Sequence, residues 1–206
     1  KESSAASDVY KRQGYSYVCQ TLDMGISYYR LVYARLTGEP FVVAETKNLL
    51  IREMTTKDLP ELYAVYSTLE DCQYIEQLYD YDKELEFTKN YIKNMYGFFE
   101  YGLWLVFEKK SGELIGRAGI ENREIDGVTC CEIGYLIRRD MQYKGYAYGA
   151  CQAILEYASD ELGIQEMFAV IDKTNEPSRK LAQKLGFELY AQTDGCLLYT
   201  SPSPRD

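Results

Sequence analysis

The hydrophobic pattern of the chain changes from helical to extended after Gly102. Three stretches follow one another there: LWLVFEKK from Leu103, ELIGRAGIENREI from Glu113 and TCCEIGYLIRRDM from Thr129. Short turns that contain a glycine separate them, at Ser111-Gly112 and Asp126-Gly127. Because extended runs joined by such turns pair with their neighbours, the pattern predicts three consecutive antiparallel strands.

Helical periodicity occurs on both sides of these strands. Before them, the pattern predicts helices over SYYRLVYARLTG, over LPELYAVYSTL and from Lys83 to Phe99, and a hairpin of FVVAET and LLIREMT. After them, it predicts a helix from Ala147, the strand MFAVID, a helix from Asn175 to Gly186 and the strand FELYAQT. This order predicts a mixed α/β fold with a central sheet of about six strands flanked by helices.

Both ends of the chain share a feature that is unrelated to folding. DVYKRQ at Asp8 to Gln13 and CLLYTS at Cys196 to Ser201 can be encoded by opposite strands of one short DNA, as in translated sequencing-library adapters. We therefore interpret residues 1–13 and 196–206 as non-native tails. Residues 14–46 are then an N-terminal extension or the end of an upstream domain. Residues 47–195 form the main domain, whose last strand we expect to be truncated.

The chain is acidic, with 32 Asp and Glu residues against 23 Lys and Arg residues and a net charge of −9. Such a chain repels nucleic-acid phosphates, so we expect no nucleic-acid partner, whereas a cationic amine is attracted. No run approaches the ~20 apolar residues that span a bilayer, so we expect no membrane partner.

Histidine is absent from the chain. This excludes Ser-His-Asp and Cys-His nucleophile pairs and HExxH zinc sites. The cysteines outside the tails show no CxxC spacing, so we expect reduced thiols in a cytoplasmic protein and no metal; they are Cys19, Cys72, Cys130, Cys131 and Cys151. Acid–base chemistry must then rely on Glu, Asp, Tyr, Lys, Cys or water.

The junction between the third predicted strand and the following helix has the features of an anion site. Its residues are Gln142, Tyr143, Lys144, Gly145, Tyr146 and Ala147. The first N–H groups of a helix have no partner within it, and the helix dipole favours negative charge there. Gly145 allows the backbone to approach a diphosphate closely. Alone this is weak evidence, because many helices follow a loop that contains one glycine.

With its surroundings, this junction resembles the GNAT superfamily of N-acetyltransferases over Glu45 to Thr193. Gln142, Gly145 and Ala147 match the diphosphate loop of the family. ETKNLLIREMTTKDL resembles the opening of the branch that acetylates the N-termini of ribosomal proteins. NEPSRKLAQKLGFE, which contains Asn175 and Ser178, matches a later helix of the family.

The resemblance implies an enzyme that transfers an acetyl group from acetyl-CoA directly to a primary amine in a ternary complex. It implies that acetyl-CoA is bound by Leu136, Ile137, Arg138, Gln142, Tyr143, Lys144, Gly145, Tyr146, Ala147, Asn175 and Ser178. The acceptor, either a small molecule or a protein N-terminus, stays open, as does the oligomeric state.

One residue departs from the family pattern. Many relatives carry a tyrosine three residues before the leucine of the LGF sequence, where it protonates the departing thiolate, but this chain has Ala182. Ser178, or a water held near Asn175, would have to replace that tyrosine. The departure also leaves a second function open, a non-catalytic acyl-CoA-binding module on the same fold.

Glu132 is the predicted general base. Strand alternation places it on one face with Gly134 and Leu136, and Gly134 leaves room for a substrate beside the carboxylate. An amine with a pKa of about 10.4 is only about one part in a thousand neutral near pH 7, so a base must take its proton. Glu121 and Glu124 are rival carboxylates, and a solvent-facing role for Glu132 is the alternative.

Overall fold

The computed structural model describes residues 26–125, 127–192 and 195–201. Within these residues the chain forms five α-helices and eight strands. The helices are α1 (Ile26–Thr37), α2 (Leu59–Ser67), α3 (Tyr81–Tyr91), α4 (Tyr146–Asp160) and α5 (Glu176–Lys184). The strands are β1 (Val42–Glu45), β2 (Leu49–Arg52), β3 (Leu103–Glu108), β4 (Leu114–Ile125), β5 (Val128–Ile137), β6 (Phe168–Asp172), β7 (Glu188–Gln192) and β8 (Cys196–Thr200).

All eight strands belong to one sheet, in the order β1-β2-β3-β4-β5-β6-β8-β7. Neighbouring strands are antiparallel except β5 and β6, which are parallel. The predicted mixed α/β class is therefore confirmed, and so are the three consecutive antiparallel strands. The sheet has eight strands where the sequence predicted about six. One of the added strands is β1, which pairs with β2 as the predicted hairpin.

The other added strand, β8, lies in a segment that we expected to be a tail too short to close the sheet. Cys196–Thr200 pairs with β6 on one side and with β7 on the other. Its residues Leu197, Leu198 and Tyr199 are buried. A five-residue strand suffices here because hydrogen bonds form along both of its edges and its apolar side chains enter the core. The expected truncation of the sheet is therefore wrong, because residues 196–200 complete it. The adapter origin of this segment stays an interpretation.

The sheet separates two layers of helices. Helix α4 packs on β1, β2, β4 and β5, and its Tyr157 makes an edge contact with the fully buried Trp104, with ring centroids 5.6 Å apart. Helix α2 packs on the opposite face, against β4. Helix α2 follows a short turn in which the Asp58 carboxylate accepts hydrogen bonds from the Thr55 backbone N–H (2.7 Å) and from Arg52 (2.6 Å). Among the described residues, no helix is long and apolar enough to cross a bilayer.

The helix predicted from Lys83 to Phe99 changes its geometry halfway. It is α-helical as α3 and continues as a π-helix from Ile92 to Phe99. The wider turns bring two tyrosines onto the start of β3. The Tyr91 hydroxyl accepts a hydrogen bond from the Leu103 N–H (2.6 Å), and the Tyr96 hydroxyl donates one to the Leu103 carbonyl (2.5 Å). Strand β3 is thereby fixed where it lines the site described next.

Candidate active site

A cleft opens where β5 and β6 separate. The two parallel strands share a single registered pair, Glu132 opposite Phe168, and diverge beyond it. The space has a volume of about 590 Å³. Strands β3, β4 and β5 form one side, β6 and α5 form the other, and residues 73–79 close it from above. Its volume lies in the usual range of small-molecule sites.

Gly134 and two glutamates form the floor of the cleft. In the register of β4 and β5, Gly119 lies opposite Gly134, and Glu121 lies opposite Glu132. Side chains alternate along a strand, so all four positions share one face of the sheet. Gly119 cannot be enlarged, because an added Cβ would lie 2.0 Å from the carbonyl oxygen of Gly102. The floor is therefore bare backbone beside two carboxylates.

The two facing carboxylates have different surroundings. Glu132 accepts a 2.9 Å ion-pair hydrogen bond from Nη1 of Arg123. Glu121 leans over the floor, and its Oε2 lies 3.3 Å from the position that a Cβ on Gly134 would take. Burial raises the pKa of Glu121, and the negative charge of Glu132 adds to this, although Arg117 opposes it. Glu121 also lines the cleft, so solvent still reaches its carboxylate from that side.

The third carboxylate considered from the sequence, Glu124, lies elsewhere. It pairs with Thr129 near the far end of β4 and does not line the described cleft. The two carboxylates that line the floor are therefore Glu121 and Glu132.

Residues at the end of β5 lead from the cleft to the predicted anion site. Leu136 is buried and lines the cleft. Ile137 is buried opposite Gly116. Arg138 follows the strand, and its guanidinium is held by Asp140 (2.7 Å) and Glu113 (3.0 Å). The arginine therefore shapes the loop while its charge is already paired.

The start of helix α4 offers several backbone donors. No hydrogen bond from the N–H groups of residues 143–148 to the described residues is found, and the first intrahelical bond runs from the Gly149 N–H to the Gly145 carbonyl (3.0 Å). Gly145 has a φ of +85°, a left-handed conformation that favours glycine. A Cβ on Gly145 would have no protein atom within 4 Å. Free N–H groups around open space at a helix start make an anion site.

Side chains of the loop have separate tasks. The Gln142 amide donates to the Ile137 carbonyl (2.9 Å), so it ties the loop to β5. The Tyr146 hydroxyl bonds to the Glu108 carboxylate. Tyr143 has a φ of +60° and is 88% exposed. Lys144 lies beside Met141, with its Nζ 3.3 Å from the sulfur. The side chains of Gln142 and Tyr146 thus hold the loop, and its free N–H groups remain available to a ligand.

The start of helix α5 lines the cleft opposite β5. The Asn175 Oδ1 caps the helix by accepting a hydrogen bond from the Ser178 N–H (3.2 Å). Ser178 and Ala182 also line the cleft. The position at which many relatives carry a tyrosine therefore does face the cleft, but its alanine has no proton to donate.

Tyr135 brings a hydroxyl to this part of the cleft from the opposite strand. It lines the cleft together with Ser178, whose side chain partly offsets the effect of burial on the pKa of the tyrosine. Burial raises the pKa of Tyr135 to about 12, so the hydroxyl is protonated at neutral pH. Sequence reasoning missed this residue, because alternation along β5 places it on the face opposite Glu132 and Gly134.

The structure thus divides the predicted site residues between two places. Glu132, Leu136, Asn175 and Ser178 line the cleft. The remaining predicted residues, from Ile137 to Ala147, lie outside its lining, at the end of β5 and the start of α4. The cleft also contains Arg117, which the sequence did not single out.

A split parallel strand pair, beside a helix whose first N–H groups have no partner among the described residues, defines a class of acyltransferases that use a CoA thioester. Residues 48–188 match the family described as the acetyltransferase (GNAT) domain. The chain belongs to the GNAT acetyltransferase family and is an acetyl-CoA-dependent acyltransferase.

Named relatives agree with this assignment. The chain is 32% identical over 143 residues to YnaD of Bacillus subtilis strain 168, an uncharacterized N-acetyltransferase, covering 68% of this chain and 79% of that protein. Its fold is similar to the GNAT-family acetyltransferase of Bacillus anthracis, with a TM-score of 0.61, 23% identity and coverage of 76% and 95% of the two chains. It is also similar to RimL, the ribosomal L7/L12 alpha-N-protein acetyltransferase, in complex with coenzyme A, with a TM-score of 0.65, 15% identity and coverage of 80% and 99%.

Proposed function

We propose that the chain transfers the acetyl group of acetyl-CoA to a primary amine by direct attack in a ternary complex. The observation that carries this proposal is the continuity of β5. The strand runs from the facing carboxylates in the cleft to the free N–H groups at the start of α4. A long donor bound by its diphosphate at α4 extends along β5 and presents its thioester to the cleft.

The residues proposed to hold acetyl-CoA act mainly through their backbone. The N–H groups around Gly145, Tyr146 and Ala147 bind the diphosphate, with the positive end of the α4 dipole behind them. The backbone of Leu136, Ile137 and Arg138 borders the pantetheine. Asn175 and Ser178 border it from α5. The coenzyme A complex of RimL supports this donor for the fold.

Glu132 is the proposed general base. It lies at the register position where β5 and β6 part, which is where a thioester entering the cleft meets the floor. The carboxylate takes a proton from the bound ammonium group, directly or through water. The neutral nitrogen then attacks the thioester carbonyl, the C–N bond forms and the C–S bond breaks.

The thiolate of CoA leaves and needs a proton. Ser178 is the proposed donor, and Tyr135, which lines the same cleft, is proposed to restore its proton. The pair supplies the hydroxyl that Ala182 lacks. The ammonium group loses two protons, one to Glu132 before the attack and one as the amide forms. One proton is balanced by protonation of the sulfur and the other is released to solvent, so the products are an amide, CoA with a free thiol and one proton.

Release of free CoA thiol tests the proposal. With acetyl-CoA and a panel of primary amines, we expect release above the rate seen without amine. When both substrates are varied, double-reciprocal plots should intersect, because both must be bound before transfer. Parallel lines, which indicate a covalent acyl-enzyme, would exclude direct attack, and absence of release with every amine would contradict the proposed activity.

A further inference from the structure

Arg117 is a buried cation that lines the cleft. It lies on β4 between Leu105 of β3 and Leu136 of β5, in the middle of the sheet. The residue is only 6% exposed. Its guanidinium carbon lies 5.3 Å from the centre of the Tyr91 ring. A buried cation thus lines a cleft whose other charged residues are five carboxylates and Arg123; the carboxylates are Glu76, Glu84, Glu121, Glu132 and Asp172.

This arginine has no carboxylate partner. Among the described residues, no Asp or Glu oxygen lies within 4.0 Å of its nitrogens, and its buried Nε has no hydrogen-bond partner. The half-buried arginines elsewhere differ. Arg35 pairs with Glu53 at 2.5 Å, and Arg52 pairs with Asp58 at 2.6 Å. A buried charge without a counterion is costly, so its presence at a ligand-sized space indicates a missing anion.

Tyrosine hydroxyls keep the arginine charged without neutralising it. Burial by itself lowers the pKa of Arg117, and the oxygens of Tyr66, Tyr91 and Tyr96 more than offset this, so the pKa is raised. Tyrosine is neutral at physiological pH. In the part of the chain that the structure describes, no carboxylate at ion-pair distance neutralises the positive charge of Arg117.

The neighbouring carboxylate is too far away to be that anion. Arg117 and Glu121 point to the same face of β4, with Gly119 between them, and their Cα atoms are about 13 Å apart at the usual rise of a strand. Both side chains line the cleft on one face of the sheet but form no ion pair. A ligand with a cationic and an anionic end fits this arrangement, with its amine toward Glu121 and Glu132 and its anion on the guanidinium.

We propose that Arg117 binds a carboxylate of the acceptor, so that the preferred acceptor is an amine that also carries a carboxylate, such as a free amino acid. This inference rests on the proposed amine transfer. A guanidinium binds a planar carboxylate with two parallel hydrogen bonds. A phosphate fits less well, because its extra negative charge is repelled by Glu121, Glu132 and Glu76, which line the same cleft. The N-terminus of a protein has an uncharged peptide bond where the free amino acid has its carboxylate.

Matched acceptor pairs test the proposal. Alanine and phenylalanine are compared with alaninamide and phenylalaninamide, which keep the shape and remove the negative charge. Phosphoethanolamine, compared with ethanolamine, tests phosphate in place of carboxylate. We expect kcat/KM to be at least tenfold higher for the acid than for its amide. Equal values for both members of each pair, or a preference confined to phosphoethanolamine, would overturn the carboxylate assignment.

Two variants locate the effect. Arg117→Met replaces the guanidinium by an apolar side chain of similar length, and Arg117→Lys keeps the charge without the two-pronged geometry. We expect Arg117→Met to abolish the preference for the acid, mainly through KM, and to leave kcat/KM for the amide nearly unchanged. Arg117→Lys should retain part of the preference. Equal losses for acid and amide in both variants, with acetyl-CoA affinity intact, would show a structural role only.

A binding measurement separates this proposal from the proposed transfer. Calorimetry with CoA in place of acetyl-CoA permits no turnover, and alanine and alaninamide serve as probes. Tighter binding of alanine to the wild type, lost in Arg117→Met, supports the carboxylate site even if no thiol is released in the kinetic assay. Equal affinity of the two probes overturns the site even if amines are acetylated.

Discussion

Two carboxylates face each other on the floor of the cleft, and their surroundings distinguish them. Glu132 has a cationic partner in Arg123, whereas the pKa of Glu121 is raised by burial and by the charge of Glu132. Different surroundings of two facing carboxylates are a common way for a site to separate acid–base roles. The pH dependence of kcat in variants of each residue therefore tests which of the two carboxylates accepts the amine proton.

Replacing Glu132 with Gln tests the base. This change keeps the shape of the side chain and removes its basicity. We expect kcat to fall by about 10²-fold, with acetyl-CoA affinity nearly unchanged and the acidic limb of the pH–rate profile lost. Glu121→Gln is the matched control on the facing strand and should reduce kcat less.

If Glu121 is the base instead, the pH–rate profile of Glu132→Gln changes in a different way. The charge of Glu132 raises the pKa of Glu121, so Glu132→Gln lowers that pKa. If Glu121 were the base, it would stay deprotonated to lower pH. The acidic limb would then move to lower pH with kcat retained, and Glu121→Gln would become the inactive variant.

At the scale of the element, the start of helix α4 combines an unusual backbone conformation with open space. Gly145 has a positive φ, so any other residue there strains the loop, whether or not a ligand is bound. Loss of CoA affinity in Gly145→Val would therefore mix strain with steric exclusion of the diphosphate. Asparagine tolerates this conformation better than other residues with a side chain, which allows the two causes to be separated.

We expect both Gly145→Val and Gly145→Asn to weaken CoA binding by at least tenfold in calorimetry, which corresponds to about 1.4 kcal/mol. Only the valine variant should also lose clear thermal stability. Gly163, with a φ of +68° and nothing within 4 Å of an added Cβ, is the control glycine beyond the other end of the helix. Gly163→Asn should bind CoA like the wild type. Unchanged affinity in Gly145→Asn would argue against diphosphate binding at this loop.

Elements with strong local signals could be predicted from the sequence. The three central strands, the capped helix at Asn175 and the glycine loop before α4 each depend on neighbours in the chain. The π-helix from Ile92 could not be predicted, because its wide turns follow from the packing of Tyr91 and Tyr96 on β3. The missing counterion of Arg117 also escaped prediction, since pairing across the sheet is not visible in the order of residues.

The site residues divide in the same way, into those with a local sequence signal and those that depend on packing between distant parts of the chain. Glu132 and Ser178 were found from spacing and from resemblance, and the structure places both at the cleft. Tyr135 was not found, because strand alternation gives no indication that it lines the cleft together with Ser178 of α5. Strand β8 was excluded from the predicted fold because its sequence matches translated adapter DNA. Folding depends on its apolar side chains and on its pairing with β6 and β7, whatever the origin of the DNA.

At the scale of the whole molecule, β8 joins two parts of the sheet. It supplies hydrogen bonds to both β6 and β7, and Leu198 is 4% exposed between Val170 and Ala191. Truncation after Gln192 should therefore prevent recovery of stable protein. The point variant Leu198→Ala should cost about 2–5 kcal/mol, the usual range for a buried leucine.

Urea unfolding followed by the fluorescence of Trp104 measures these losses, since the chain contains one tryptophan and it is fully buried. Truncation after Ser201 keeps β8 and should leave stability unchanged. Deletion of residues 1–13, which lie outside the described part of the chain, should change it by less than about 1 kcal/mol. Wild-type stability in Leu198→Ala or after truncation at Gln192 would show that β8 contributes little.

The position of β8 also bears on how the protein is made. Ribosomes release β6 and β7 before β8, yet within the described sheet β7 is joined only to β8. Strand β7 therefore joins the sheet only after residue 200 has emerged. Until then, β6 presents an open apolar edge in the nascent chain, where other strands can add and where chaperones that bind such edges act. We therefore expect the sheet to close between β6 and β7 in a single step of strand insertion.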